Sequence, residues 1–357
     1  MIYLDNAATT KPTKEALESA QNALENFGNP SSLHILGINA ERIVENARVS
    51  VASILSVPAK QIVFTSGATE SNNWVIQSIS QKNHLGRQII TTQNEHPSIL
   101  EPLKALEKQG FSVLYLPEIT TNALENALKT PTCLVVTHHI NSENGSVQDI
   151  NLLTSRVKKH SPKTLVHIDC VQSFCKYPLD FSKIKADFAS LSAHKIGCLK
   201  GAGALYIRQG VAIAPLICGG GQELNQRSGT QNTIGIASFL ALPKNIQENF
   251  AYVQELKNKL ISGFEFDFVQ NSPNSSPYIL NITIPSVRGE VLVNALSAKG
   301  VYISAGIACA SNKNQRPQNI YSVRFSFSPE NTLEEITQAT TIVNNTVKNL
   351  TSFRGLK

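Results

Sequence analysis

The sequence predicts an α/β protein, with a mostly parallel seven-stranded sheet covered by helices and a smaller α+β C-terminal domain. Two observations carry this expectation. Between residues 61 and 207, short apolar or β-branched runs alternate with amphipathic stretches, the pattern of parallel strands joined by crossover helices. After the glycine cluster Gly219-Gly220-Gly221 the alternation stops, and longer helical stretches with scattered short strands follow.

Taken in order, residues 1–12 read as extended. A helix follows with Ala16, Leu17, Ala20, Ala23, Leu24 and Phe27 on one face and Gly28 as its stop. A second helix carries Ala40, Ile43, Val44, Ala47, Val51, Ile54 and Leu55, with Pro58 just beyond its end. Strands are expected at 61–65, 88–92, 111–116, 134–137, 165–169, 187–192 and 202–207. Helices are expected between them at 69–82, 98–109, 122–128 and 149–159. Beyond the glycine cluster, 234–242, 246–264, 290–299 and 333–350 read as helices, and 353–357 as a frayed tail. The expected division is a large domain over 13–242 and a small one formed by 1–12 with 243–357.

Composition narrows the function classes. The 357 residues are 41% hydrophobic and 16% charged, enough for two cores. The net charge of +6 is not gathered into a basic run, which argues against nucleic-acid binding. The six cysteines, at 133, 170, 175, 198, 218 and 309, form no CxxC pair, so no zinc or thioredoxin signature is present. No apolar leader opens the chain, and no apolar run approaches the ~20 residues of a membrane span. A cytoplasmic, reducing location is the expectation.

The chemistry centres on Ser190-Leu191-Ser192-Ala193-His194-Lys195, where a short strand ends in a histidine and a lysine. A second strand, Leu165 to Asp169, ends in a carboxylate. A partly desolvated lysine can lose its proton and attack a carbonyl. Paired with a carboxylate for a pyridinium nitrogen, it is the arrangement that pyridoxal phosphate requires. The plain alternative for Lys195 is a surface lysine. Ser66-Gly67-Ala68-Thr69 joins a strand to a helix whose N-terminus suits a phosphate, or is an ordinary N-cap. Asn141 is either a ligand contact or a turn residue. A lone His96 is more often structural than catalytic. Arg324, flanked by Val323 and Phe325, is either an exposed alternate position or a buried anion clamp. Cys309, in a small-residue stretch, is either a packed thiol or a reactive one.

Seven segments together resemble the cysteine desulfurases of the NifS/IscS type, which belong to the class V aminotransferases of PLP fold type I. They are YLDNAATT (3–10), TSGATESNN (65–73), EHPSIL (95–100), HIDCVQS (167–173), SAHKIGCLKGAGALYI (192–207), RSGTQN (227–232) and SAGIAC (304–309). They occur in the family's order and span nearly the whole chain.

The resemblance implies that Lys195 holds pyridoxal 5'-phosphate covalently and that Asp169 faces its ring nitrogen. It implies that His96 stacks on the ring, where its imidazole could also move protons as a catalytic residue, and that Gln172 and Asn141 contact the ring. The phosphate would be held by Ala68, Thr69, Ser192 and His194, with Thr230 reaching across a homodimer. It makes Arg324 and Asn141 the grip on the carboxylate of L-cysteine. Cys309 becomes the thiol that takes the sulfur as a persulfide and passes it to an iron–sulfur scaffold or a tRNA-thiolation protein.

The chain departs from the family pattern in places. Arg324 lies only fifteen positions after Cys309, a shorter connection than IscS-like members have. Cys198-Leu199 stands where Gly-Pro is usual, and Cys170 where alanine is usual. Asn144 replaces a more apolar residue. A selenocysteine lyase or another class V aminotransferase on the same fold would need Lys195 but not Cys309. A non-catalytic assembly partner would need neither. A nucleotide-binding Rossmann protein is disfavoured because no G-x-G-x-x-G turn follows a first strand.

Overall fold

The computed structural model describes residues 1–81, 86–306 and 320–352, which divide into two compact units. The larger comprises residues 11–139 and 148–244; the smaller comprises 1–10, 140–147 and 245–357.

The chain opens with β1 (Ile2–Tyr3) in the smaller unit. The larger unit begins with α1 (Lys14–Glu25), whose N-cap Thr13 accepts a hydrogen bond from the Ala16 amide. In α1 the alanines at 16, 20 and 23 are buried, whereas Leu17 and Leu24 are exposed, as is Phe27 just beyond the helix. Of the apolar residues read onto this helix, only the small side chains pack inward. Next, α2 (Ile35–Leu55) buries Ala40, Ile43, Val44, Ala47, Val51 and Leu55, and ends on Ser56 in the left-handed region at φ 57°.

The alternating stretch follows as β2 (Ile62–Thr65), α3 (Ala68–Ser80), β3 (Gln88–Thr92), α4 (Pro97–Glu107), β4 (Ser112–Leu116), α5 (Thr121–Ala127), β5 (Thr132–His138), α6 (Ile150–His160), β6 (Leu165–Asp169), β7 (Phe188–Ser192) and β8 (Gly203–Ile207). These strands form one seven-stranded sheet in the order β2-β8-β7-β6-β5-β3-β4. β8 is antiparallel to both neighbours and the remaining pairs are parallel.

Strands β2, β7 and β8 are buried at every position, because helices cover both faces. Along β5, Val135 packs with α2 and α6, while Leu134 and Val136 pack with α3 and α4. This is the two-residue period of a strand buried on both sides.

Register gathers the strand ends that matter. Thr65 pairs with Gly203 and Gly203 with Ser192, so the ends of β2 and β7 lie in one row across β8. His138 pairs with Asp169, and Asp169 with Ser190. Parallel strands share a carboxyl edge, which in open α/β sheets is where ligands bind.

After β8 come two short helices, α7 (Gln222–Asn225) and α8 (Thr233–Ala237). Glu223, Leu224 and Asn225 of α7 all have positive φ, so it is not a regular helical turn.

The smaller unit contains α9 (Ile246–Ser262), β9 (Val269–Gln270), β10 (Ile279–Thr283), α10 (Gly289–Ser297), β11 (Val301–Tyr302), β12 (Ser304–Ala305), β13 (Ser322–Ser326) and α11 (Leu333–Ser352). Its antiparallel sheet has the order β12-β13-β10-β9, and β1 pairs in parallel with β11. The expected extended stretch over 1–12 is strand only at Ile2–Tyr3, with a turn from Asn6 to Ala8.

Residues 140–147, which the sequence assigns to the large domain, belong to the smaller unit. Ser276 N donates to Gly145 O at 2.8 Å, and Asn281 Nδ2 donates to Glu143 O at 3.0 Å. Gly145 has φ +75°, and a Cβ there would lie 2.9 Å from Ile279 Cβ, so any larger residue would push this loop off β10.

Candidate active site

In the larger unit the site is built at the carboxyl edge of β2, β5, β6 and β7. Asp169 ends β6, is 7% exposed, and is held through both oxygens: Val171 N donates to Oδ1 at 2.9 Å and Asn72 Nδ2 to Oδ2 at 2.9 Å. Lys195 closes a short 3-10 turn directly after β7 and is half-buried. The register Asp169–Ser190 therefore puts the carboxylate and the strand leading to the amine side by side. Ser192 is buried, and His194 is half-buried. Burial first, then the positive charges of Lys195, Lys200 and Lys176, lowers the His194 pKa to about 4, so the ring is neutral near pH 7.

α3 starts beside this row with Gly67 as its N-cap and no side-chain cap, so Ser66 and Thr69 do not cap it. Ser66 N instead donates to Glu70 Oε2 at 2.9 Å. Gly203 lets the β2–α3 turn come close, since a Cβ on it would sit 2.5 Å from Gly67 Cα. The first amides of α3, including those of Ala68 and Thr69, lack helical partners and carry the positive end of the dipole.

His96 is exposed and caps α4, its Nδ1 accepting from Ser98 N at 3.1 Å. Ser98 Oγ in turn accepts from Asn72 Nδ2 at 2.9 Å. Gln172 is buried and its Oε1 accepts from Lys176 Nζ at 3.2 Å. Thr230 is exposed on a loop tied to α3 through Arg227 and Glu70, 2.9 Å apart. Hydrogen bonds from Arg227 and from Ser66 outweigh burial and hold the Glu70 carboxyl below its ordinary range.

Two predicted residues lie in the smaller unit. Arg324, on β13, is buried; its Nη1 donates to Ser142 O at 2.7 Å and its Nη2 to Asp5 Oδ1 at 3.0 Å. Among the described residues its buried Nε has no partner. Asn141 is buried in the same unit, with its Oδ1 accepting the amides of Glu143 and Asn144, so it does serve as a turn residue. Cys309 lies outside the described residues. The structure thus groups Ala68, Thr69, His96, Asp169, Gln172, Ser192, His194 and Lys195 along one sheet edge, and Asn141 with Arg324 in the smaller unit.

Sequence reasoning missed Asn72, Ser98, Glu95 and His138. Asn72 lies within the TSGATESNN segment, one helical turn beyond Ala68 and Thr69, and that spacing is the signal that could have found it.

No group of three or more His, Cys, Asp or Glu that could hold a metal occurs among the described residues. No described helix is long and apolar enough to cross a membrane.

The aminotransferase class-V family model matches residues 2–338. Cysteine desulfurase IscS of Methanosarcina thermophila is 35% identical, over 99% of this chain and 94% of that protein. Cysteine desulfurase IscS of Dictyoglomus turgidum is 37% identical, over 90% and 85%. A solved NifS-like protein superposes with a TM-score of 0.91 at 36% identity, covering 98% of this chain and 99% of its own. The apo cysteine desulfurase from Thermococcus onnurineus NA1, at 23% identity and a TM-score of 0.89, shares the fold.

Proposed function

Because the chain belongs to the class-V aminotransferase family and is a cysteine desulfurase, we propose that it binds pyridoxal 5'-phosphate through Lys195 at the carboxyl edge of the larger sheet. The observation carrying this reading is the pairing of Asp169 with Ser190, three residues before the turn that ends in Lys195. The donor set suits the cofactor. Uncapped α3 amides favour a phosphate, and the space a Cβ on Gly67 would take is clear of protein atoms. Asp169 offers a fixed carboxylate, and His96 an exposed imidazole.

When bound, the cofactor supplies an electron-withdrawing pyridinium that stabilises negative charge at the substrate Cα. Asp169 keeps a proton on the ring nitrogen. His96 covers one ring face, and Gln172, Ser192, His194 and Thr230 complete the cofactor grip. The Lys195 amine takes the Cα proton of L-cysteine and returns a proton on the way to alanine. Arg324 and Asn141 hold the substrate carboxylate, with the Arg324 Nε, which has no partner among the described residues, as the added donor. The Cys309 thiolate attacks the substrate sulfur; the substrate C–S bond breaks, an S–S bond forms on Cys309, and alanine leaves.

Thr230 and the apolar Leu17, Leu24, Phe27, Leu33 and Ile35 are all exposed, which supports a homodimer. A cytoplasmic enzyme passing its persulfide to an iron–sulfur scaffold or a tRNA-thiolation protein completes the reading.

The absorption spectrum before and after borohydride tests the cofactor linkage. A visible band lost on reduction, with the label on Lys195, is expected. A purified protein without that band, even after incubation with pyridoxal 5'-phosphate, overturns it.

A further inference from the structure

Glu95 is the most completely enclosed carboxylate near the site. Its side chain has no solvent exposure, yet it directly precedes His96, which is exposed. Three hydrogen bonds end on it: Thr92 Oγ1 donates at 2.7 Å, Thr137 Oγ1 at 2.9 Å and His138 N at 2.9 Å. The His138 ring adds a fourth contact, its Nδ1 lying 2.9 Å from Oε2. Thr92 ends β3, and Thr137 and His138 end β5. The carboxylate therefore fastens the loop before His96 to two strand ends.

A buried carboxylate needs a countercharge. Among the described residues, His138 is the ion partner recorded for Glu95. It is also the register partner of Asp169 on the next strand. We propose that Glu95 and His138 are positioning residues, a charge pair that sets His96 at the site edge and lends positive potential to Asp169. The proposal rests on the reading of His96 and Asp169 as cofactor contacts.

Electrostatics agree with the geometry. Burial opposes charge on His138, but the charge and hydrogen bond of Glu95, with the charge of Asp169, raise its pKa above the ordinary 6.5. The neighbouring rings do not compete for Glu95. Burial lowers His139 to about 4 and His167 on β6 to about 3, so both are neutral near pH 7. As pH rises through the His138 pKa, Glu95 loses its countercharge and the loop carrying His96 loosens.

Histidine-selective NMR on cofactor-free protein tests the pair directly. The His138 ring is expected to titrate above 6.5 in the natural protein and to fall by about one unit in Glu95→Gln, where the charge is gone. An unchanged titration overturns the pair. His138→Asn can still donate to Glu95 but carries no charge. It is expected to lower kcat for L-cysteine at neutral pH and to remove the decline that loss of the His138 charge adds to the basic limb of the kcat/KM profile, with little change in KM. An unchanged profile overturns the positioning role.

Should Glu95→Gln fail to fold, Thr137→Val removes one of the three donors and is read by the same titration. If no variant, nor the natural protein, binds pyridoxal 5'-phosphate, the site reading fails, while the NMR titration still decides the pair.

Discussion

Asn72 Nδ2 donates to Asp169 Oδ2 at 2.9 Å, and Asn72 Oδ1 accepts from His167 Nε2 at 2.8 Å. One fully buried amide thus fixes both the carboxylate at the end of β6 and the tautomer of the imidazole two residues before it. The same Nδ2 reaches Ser98, and through it the turn that carries His96.

Replacing Asn72 by alanine should therefore act on stability and cofactor affinity together. It leaves Asp169 Oδ2 and the His167 N–H short of a partner in a buried place, which costs about 1–3 kcal/mol. Urea unfolding is expected to show that loss, and absorbance titration a weaker hold on pyridoxal 5'-phosphate. Asn72→Asp, which sets a second carboxylate against Asp169, should weaken the hold further. Unchanged affinity in both variants would show that Asp169 needs no such support.

Acid should destabilise this protein at a higher pH than carboxylate titration alone would give. Burial lowers His167 to about 3 and His139 to about 4, against 6.5 for an ordinary imidazole. Below pH 6.5 the unfolded chain takes up protons at these rings while the folded chain does not, so stability falls as pH falls. Each such ring contributes at most about 1.4 kcal/mol per pH unit in that window. His138 has the opposite sign: its raised pKa adds stability that is complete at low pH and lost as pH rises through its folded value. Urea midpoints between pH 7 and 5 are expected to decline, and to decline less in His167→Gln, which keeps a donor for Asn72. Equal slopes in the two proteins would remove His167 from the account.

The fold was legible where burial is uniform. The bounds read for β3 and β6 match those observed, because each is a short run rich in Ile, Val, Leu or Thr that ends in a polar residue, Thr92 in β3 and Asp169 in β6. The two-residue strands β1, β11 and β12 are too short to show a period, and their pairing depends on distant partners. The apolar pattern of α1 does not by itself say which of its residues face the core: the alanines are buried, whereas Leu17 and Leu24 are exposed. At the site, Asp169 and Lys195 stood out because a charged residue at, or just past, the end of a strand is visible in sequence. Glu95 and His138 did not, because the pair spans 43 positions and each looks ordinary alone.

Arg324→Lys tests the carboxylate grip. Lysine keeps the charge but cannot present a planar fork, and one ammonium cannot serve Ser142 O, Asp5 and a substrate together. Losing a charged hydrogen bond worth about 1.5–3 kcal/mol predicts a KM for L-cysteine raised roughly 10- to 100-fold, with kcat less affected. A KM within about twofold of the natural value, about 0.4 kcal/mol, would place the carboxylate elsewhere.

The choice of sulfur-accepting thiol can be narrowed by electrostatics. Burial raises Cys133 to about 11 and Cys198 to about 12, and pushes Cys170 and Cys175 up as well. Thiols in that state hold almost no thiolate at neutral pH, and only the thiolate attacks sulfur. Cys218, which is exposed, and Cys309 remain. Cys309→Ser should lower sulfide and alanine release by about 100-fold or more, since a serine hydroxyl is far less nucleophilic than a thiolate. The cofactor band should stay intact and still respond to L-cysteine. Cys218→Ser should leave release unchanged. If the two variants exchange these outcomes, Cys218 is the acceptor; if neither loses activity, sulfur leaves without a persulfide on either thiol, as a lyase acting through Lys195 alone would release it.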